Sequence, residues 1–326
     1  MKKILVVGGA GYIGSHMVWF LGQQGKDIVV FDNLSSGHED AVLHGEFIKG
    51  DLSNQELLEE VFNTHKFDAV IHFASSIQVG ESMTDPGKYY KNNVANGLNL
   101  INVMVKHRVN NLIFSSTAAI FGNPTYTPID EDHPKNPINP YGQTKLMFEK
   151  ILADYDSAYG LKSVCLRYFN AAGSHPDGIL GERHDPETHL IPLVLEAATG
   201  DRDKITVYGK DYDTPDGTCI RDYIHVLDLA EAHWLALKHL MAGGKSKQYN
   251  LGNGNGYSVS DVIKTVESVT LAPVNVEHGM RRAGDPPILV ANSKKIRDEL
   301  GWDPRYKELA DIVQHAWCWH SNKRNS

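Results

Sequence analysis

Val7-Gly8-Gly9-Ala10-Gly11-Tyr12-Ile13-Gly14 is the stretch on which the reading of this chain turns. Four apolar residues, Ile4, Leu5, Val6 and Val7, lead into it, and an apolar-periodic stretch over residues 11–21 leads out. A short unbroken apolar run suits a strand buried on both faces. The glycines allow a tight turn, and they let backbone amides and a helix N-terminus approach an anion where a Cβ would intrude. Gly8, Gly11 and Gly14 are spaced G-x-x-G-x-x-G. Such a triplet says little alone; between a strand and a helix it predicts a dinucleotide pyrophosphate loop.

Outward from the loop, residues 28–31, 47–48, 69–73, 112–115 and 163–167 read as strands. Residues 55–63 and 89–106 read as helices, and another starts at Asn139-Pro140, an N-cap with proline at the first helical position. This alternation predicts an α/β fold, a Rossmann-type doubly wound parallel sheet over residues 1–170. Beyond Asn170 the helices shorten and Gly and Pro grow frequent, predicting a smaller C-terminal substrate lobe over 171–326. A segment near 220–242, with a helix at 227–240, is expected to return to the first domain. Asp32 ends the second strand, 18 residues past Gly14. A carboxylate there accepts hydrogen bonds from both ribose hydroxyls and repels a 2′-phosphate, which favours NAD over NADP. Capping of a turn with Asn33 is its other reading.

Composition narrows the classes. The 326 residues carry a formal charge of −8, which argues against a nucleic-acid partner. No apolar run approaches the ~20 residues of a membrane span. Cys165, Cys219 and Cys318 form no pairing pattern, and with no secretory leader expected they suit a reducing cytoplasm. Sixteen histidines include no HExxH and no Cys/His cluster, so no metal is expected.

Tyr141-Gly142-Gln143-Thr144-Lys145 puts a phenol and an ammonium at i and i+4, on one helical face. A free Tyr ionises near pH 10, too high for a base at neutrality. A nearby ammonium and a positive nicotinamide ring would lower it. The pair is common by chance, but Phe114-Ser115-Ser116-Thr117 ends a strand, where open α/β sheets bind ligands. There Thr117 is able to orient a reacting oxygen.

With Asp51, His72-Phe73-Ala74, Asn92-Asn93 and Arg167-Tyr168-Phe169-Asn170, these motifs resemble the extended short-chain dehydrogenase/reductase family. The stretch from Gly217 to Val226 and Arg281-Arg282-Ala283-Gly284-Asp285 are similar to the UDP-galactose 4-epimerases, and the likeness runs nearly end to end. It implies interconversion of UDP-galactose and UDP-glucose through a 4-keto sugar, with Tyr141, Lys145 and Thr117 catalytic and NAD regenerated each cycle. Gly8, Gly11, Tyr12, Ile13, Gly14, Asp32, Asn33, Ser36, Gly37, Asp51, Leu52, Phe73, Ala74, Asn92, Ser115, Tyr141, Lys145 and Tyr168 would line the NAD groove. Thr117, Tyr141, Asn170, His189, Leu190, Tyr208, Arg221, Arg282, Asp285 and Leu289 would meet the UDP-sugar. Within that set Arg221 and Arg282 suit the diphosphate, Asp285 the uridine ribose, and His189-Leu190 with Tyr208 the uracil.

The resemblance also implies a homodimer that pairs the helices at 89–106 and 140–159 into a four-helix bundle. Two departures stand out. The loop Ser75-Ser76-Ile77-Gln78 lacks the lysine some members place near NAD, and Thr117 stands where many have Ser. Surface ion pairing with Asp222 and Asp285 is the other reading of the arginines. A core position in the run Ile288-Leu289-Val290 is the other reading of Leu289. Two alternative functions are weighed. A 4,6-dehydratase would need acidic residues where Ala118-Ala119 follow Thr117; a non-catalytic NAD-sensing regulator would tend to lose the Tyr141/Lys145 pair.

Overall fold

A computed structural model describes residues 2–282 and 285–325; Ala283 and Gly284 of the Arg281–Asp285 motif lie outside the described residues. Seven strands form one parallel sheet: β1 (Lys3–Val7), β2 (Asp27–Asp32), β3 (Glu46–Lys49), β4 (Ala69–His72), β5 (Asn111–Thr117), β6 (Lys162–Tyr168) and, from much later in the chain, Lys247–Leu251. With β7 (Asn170–Ala172), β8 (Ile205–Tyr208) and β9 (Ile220–His225) intervening, that last strand is β10. The order is β10-β6-β5-β4-β1-β2-β3. It reverses between β1 and β4, and the diverging connections leave a crevice at the carboxyl ends of those strands.

The helices are α1 (Tyr12–Gln23), α2 (Gln55–Thr64), α3 (Val79–Thr84), α4 (Pro86–Tyr89), α5 (Asn96–Lys106), α6 (Pro140–Tyr159), α7 (Leu190–Thr199), α8 (Val226–Met241), α9 (Val259–Thr270), α10 (Lys294–Leu300) and α11 (Leu309–Asn325). Period-two alternation explains the layering. Ile4 and Val6 face α1 and α8 through Met17, Leu21, Leu229 and Leu237. Leu5 and Val7 face α2, α5 and α6 through Leu58, Leu100, Met104, Phe148 and Leu152. All four residues are fully buried, each contributing about 1.5–3 kcal/mol, so β1 has no polar face to show. Asn139 caps α6 by accepting a 2.8 Å bond from the Gly142 amide, with Pro140 following.

Three differences from the sequence reading have physical causes. β5 runs two residues past the apolar stretch, to Thr117, because Ser116 and Thr117 still pair in register with Arg167 and Tyr168 of β6. The helix expected over 89–106 contains a π-helical segment, Tyr90–Ala95, ahead of α5. β10 escaped notice because Lys247-Gln248-Tyr249-Asn250-Leu251 is half polar; its buried Asn250 donates its side-chain amide to Ile129 O at 3.0 Å and its backbone amide to Glu131 Oε1 at 2.7 Å. The second lobe joins β7, β9, β11 (Gly256–Ser258) and β13 (Ile288–Leu289) in one small sheet. β8 pairs with β12 (Val276–Gly279), and α7, α9 and α11 share a separate core.

Candidate active site

The glycine loop leaves β1 and turns over the end of β4. Gly8 has φ +80°, and a Cβ there would lie 2.4 Å from the Ala74 amide nitrogen; at Gly14 it would lie 2.1 Å from Gly8 O. At Gly11 the nearest atom would be 3.6 Å away. Protein packing therefore requires the outer two glycines, and close approach of a ligand is what remains to require Gly11. No side chain caps α1 at Gly11, so the first amides of the helix, at Tyr12 and Ile13, are left for an anion. Asp32 accepts the amides of Ala10 at 2.9 Å and Leu34 at 2.8 Å, and each oxygen keeps a lone pair.

Asn33 donates to Asp51 at 2.6 Å. Burial opposes ionisation of Asp51, but bonds from Ser53 and Asn33 hold its carboxyl below its ordinary value. The Ser36-Gly37 turn lies against the loop: a Cβ on Gly37 would meet the Ala10 carbon at 2.8 Å. Leu52 is buried, Phe73 lies 4.9 Å from the His233 ring, and Asn92 donates to Ser76 Oγ at 3.2 Å. An uncapped amide cradle beside two acceptor carboxylates fits an adenine dinucleotide.

Thr117, Tyr141 and Lys145 meet at the carboxyl end of β5. Thr117 Oγ1 accepts the Ala119 amide at 3.1 Å. Burial raises the Tyr141 pKa, and the neighbouring Thr117 hydroxyl partly offsets that. The lowering expected from the lysine is not found, for a geometric reason. Lys145 Nζ is turned to Ser75 Oγ at 2.6 Å and Ser115 O at 2.8 Å, and it sits 6.0 Å from the Tyr141 ring centroid. Burial brings Lys145 itself down to about 7, with Glu149 opposing. Ser75, in the loop that lacks a cation, thus receives the catalytic-helix lysine instead. Ser115 and Tyr168 hydroxyls bond one another.

The sequence reading gave no role to the residues behind this trio. Glu149, one turn past Lys145, takes Ser116 Oγ at 2.5 Å and both Arg167 nitrogens, Nε at 3.0 Å and Nη2 at 2.6 Å. Asn93, in the π-helical segment, clamps Ser76 through its amide and carbonyl at 2.8 and 3.0 Å and reaches Thr144 Oγ1 at 3.1 Å.

Across the crevice, Asn170 donates to Asp222 O at 3.0 Å. Arg221 ion-pairs with Asp285 and donates to Pro286 O at 2.9 Å. Asp222 is not its partner: it is fully buried, takes the amides of Ala291, Asn253 and Gly254, and is pushed up to about 6 by burial despite them. Arg282 lies 4.0 Å over the half-exposed Tyr208 ring, whereas Arg281 is tied to Asp211. A cavity of about 560 Å³ opens beside Arg282 and Asp285, walled by Asn123–Thr127. Leu289 pairs with Arg221 in β13–β9 and packs against Ala118, Phe121 and Leu146, between strand core and catalytic helix.

His189 and Leu190 open α7, but the His189 imidazole is engaged by Glu182, so the stretch offers a base its backbone and Leu190. The same loop brings Glu182, His184, Glu187 and His189 together, a grouping absent from the sequence expectations. Burial works against protonation of His184, yet bonds to Glu182 and Glu187 raise it to about 10. Cys165 and Cys219 are buried, and all three cysteines are free. Among the described residues no helix is long and apolar enough to cross a membrane.

A glycine loop at a switch point, facing a Thr-Tyr-Lys group, defines a nucleotide-dependent enzyme of the Rossmann type. The NAD dependent epimerase/dehydratase family matches residues 4–252, and the chain belongs to it. It is 52% identical to the UDP-glucose 4-epimerase of Halalkalibacterium halodurans, over 97% of this chain and 95% of that one. A UDP-glucose 4-epimerase from Brucella ovis, solved in complex with NAD, is 50% identical, covers 97% of this chain and 98% of its own, and superposes with a TM-score of 0.95. One from Bifidobacterium longum, solved with NAD+ and UDP, is 38% identical, with 99% of each chain covered and a TM-score of 0.94.

Proposed function

We propose that this chain interconverts UDP-galactose and UDP-glucose by inverting the sugar at C4 through a 4-keto intermediate. NAD, when bound, supplies the chemistry by taking a hydride from C4 and returning it to the opposite face. Residues 1–170 hold the dinucleotide: the amides of Gly11–Gly14 take the pyrophosphate, and Asp32, Asn33 and Asp51 take the adenosine. The lobe of residues 171–326 holds UDP, with α8 and β10 returning to the first domain while β9 stays in the second lobe's sheet.

Tyr141 as phenolate removes the proton from the 4-hydroxyl, and Thr117 bonds the same oxygen to orient it. Lys145 holds the nicotinamide ribose, and the charge of the oxidised nicotinamide favours the phenolate. The keto sugar must turn over while UDP stays fixed, so the binding energy belongs on the nucleotide. Arg221 and Arg282 give the diphosphate forked, charge-assisted bonds, helped by Asn170. Asp285 takes the uridine ribose, and Tyr208 with the His189–Leu190 backbone takes the uracil. Leu289 borders the sugar. The enzyme works as a homodimer in the cytoplasm.

The observation that carries this reading is the placement of the Tyr141 phenol beside the Thr117 hydroxyl that ends β5, with Lys145 one helical turn on. The adjoining Ala118 and Ala119 bring no acid or base for dehydration. Purified protein given UDP-galactose and no added NAD should form UDP-glucose; accumulation of a 4-keto-6-deoxy sugar, or no conversion even with NAD, would refute it.

A further inference from the structure

The loop from Glu182 to His189 reads Glu-x-His-x-x-Glu-x-His. It is not helical, yet one ligand-type atom from each of the four residues lies within 4.8 Å of the other three. The two imidazoles enter with the same nitrogen, Nδ1. His184 Nδ1 is 3.1 Å from Glu182 Oε1 and 3.6 Å from Glu187 Oε1, and His189 Nδ1 meets Glu182 Oε1 as well. The rings stand edge to face, 89° apart with centroids 5.2 Å from one another, and do not stack.

Glu187 is itself held: its Oε1 accepts the Thr188 amide at 2.7 Å and the His189 amide at 2.9 Å, which fixes the carboxylate and leaves its second oxygen as the ligand. Hydrogen bonds of this kind commonly fix the ligands of a metal from outside. The side chains of Glu182 and Glu187 are only 6% and 8% exposed. Two carboxylates that deep require compensating positive charge, which the two paired imidazoles supply when protonated and a dication would supply in their place. The neighbouring guanidinium of Arg183 is paired with Asp40.

We infer that Glu182, His184, Glu187 and His189 form a four-coordinate site for a divalent transition-metal ion, of which zinc is the natural occupant. Zinc takes nitrogen at about 2.0–2.1 Å and carboxylate oxygen at about 2.0–2.2 Å in a tetrahedron, which sets its ligand atoms roughly 3.3 Å apart. The four atoms already bracket that spacing. Two imidazole donors disfavour calcium and magnesium, which call for oxygen shells of six or more. Binding the dication releases the imidazole protons, and two carboxylates with two neutral imidazoles around it leave the buried cluster uncharged. The half-exposed His189 side chain gives the ion a way in.

The placement assigns the ion a bracing task. The Glu182 carbonyl accepts Trp319 Nε1 of α11 at 3.0 Å, His38 bonds Arg183 O at 3.1 Å, and the His184 ring lies 6.2 Å from Tyr12 in the glycine loop. His189 then begins α7. One ion would pin a strap that crosses from the second lobe to the dinucleotide loop.

The test uses tag-free holoprotein incubated with zinc chloride, desalted, and analysed by plasma mass spectrometry. The expected result is one zinc per chain, lost in His184→Ala and in Glu187→Gln and kept in the surface control His278→Ala. Cobalt loaded into wild type should give the intense visible absorption of a tetrahedral site, a readout that stands even where a variant fails to fold. Zinc below a tenth of an equivalent in wild type, equal retention in the loop variants, loss in His278→Ala, or a weak octahedral cobalt spectrum would overturn the inference.

Discussion

Tyr141 and Lys145 lie one turn apart, and burial acts on them in opposite directions: the phenol is held un-ionised and the amine is brought to about 7. Tyr141→Phe removes the proton acceptor and leaves the groove intact. Turnover should fall by about 10²–10⁴-fold or more with bound nicotinamide unchanged, checked by a coupled UDP-glucose assay and by absorbance after heat release. For Lys145 the sign of the pH effect follows from its shift. An unfolded lysine ionises near 10.4. Between pH 7 and that value the unfolded chain binds more protons than the folded one, so Lys145 makes stability rise with pH. In urea melts of cofactor-stripped protein, wild type should gain on Lys145→Met from pH 7 to pH 9; a constant gap would show that Lys145 titrates normally. Leu289 packs against the cluster that holds Ala118 and Leu146, and the proposed function sets it beside the sugar. Leu289→Tyr should shift the preference between plain and N-acetylated UDP-sugars by roughly 10–200-fold, the range that apolar pocket changes command. An unchanged ratio of rates would return Leu289 to the strand core.

At the level of elements, the π-helical segment Tyr90–Ala95 serves Asn93. Its side chain replaces a missing backbone partner for Ser76, and Ser76 adjoins the Ser75 hydroxyl that receives Lys145. Asn93→Ala leaves a part-buried amide and carbonyl unsatisfied, at about 1–3 kcal/mol each. Urea melts should show a loss of about 2 kcal/mol or more, with kcat reduced as Ser75 drifts; a loss under about 0.5 kcal/mol would mean water replaces the clamp. The same segment shows where reading the chain reaches its limit. Strands buried on both faces announce themselves as Ile4–Val7 does, and Asn139-Pro140 announces a helix start, because both signals are local. Motifs named Thr117, Tyr141 and Lys145 for the same reason, and the structure brings Tyr141 and Lys145 onto one turn of α6 near the end of β5. A π turn, the polar strand β10 and the Ser116–Glu149–Arg167 network depend on partners 17 to 121 residues away, which no window of sequence displays. The Glu182–His189 grouping is local, but its spacing matches no familiar ligand pattern.

For the whole molecule, the outer faces of α5 and α6 carry the proposal of a homodimer. Gly142, Leu146, Phe148, Glu149 and Leu152 of α6 are buried against the sheet and neighbouring helices. Gln143, Met147 and Ile151 form an i, i+4 stripe on its other side and are only half covered; Val94 and Leu98 stand likewise beside α5. Next to them Ile77, Val79, Met83 and Tyr90 are exposed, Met83 by 60%. Scattered apolar residues need no explanation, but half-covered Met147 and Val94 beside the exposed Ile77, Val79, Met83 and Tyr90 are what the proposed dimer would cover. Two copies stacking these faces antiparallel would bury these residues in a four-helix bundle and tie the Asn93 clamp and the catalytic helix to the partner's matching elements. Light scattering at micromolar concentration should therefore give twice the chain mass of 36.2 kDa. Met147→Asp, which places a charge mid-stripe without touching the buried side of α6, should shift the population toward monomer. A wild-type mass of one chain, or a dimer indifferent to Met147→Asp, would show that these helices only cover the sheet.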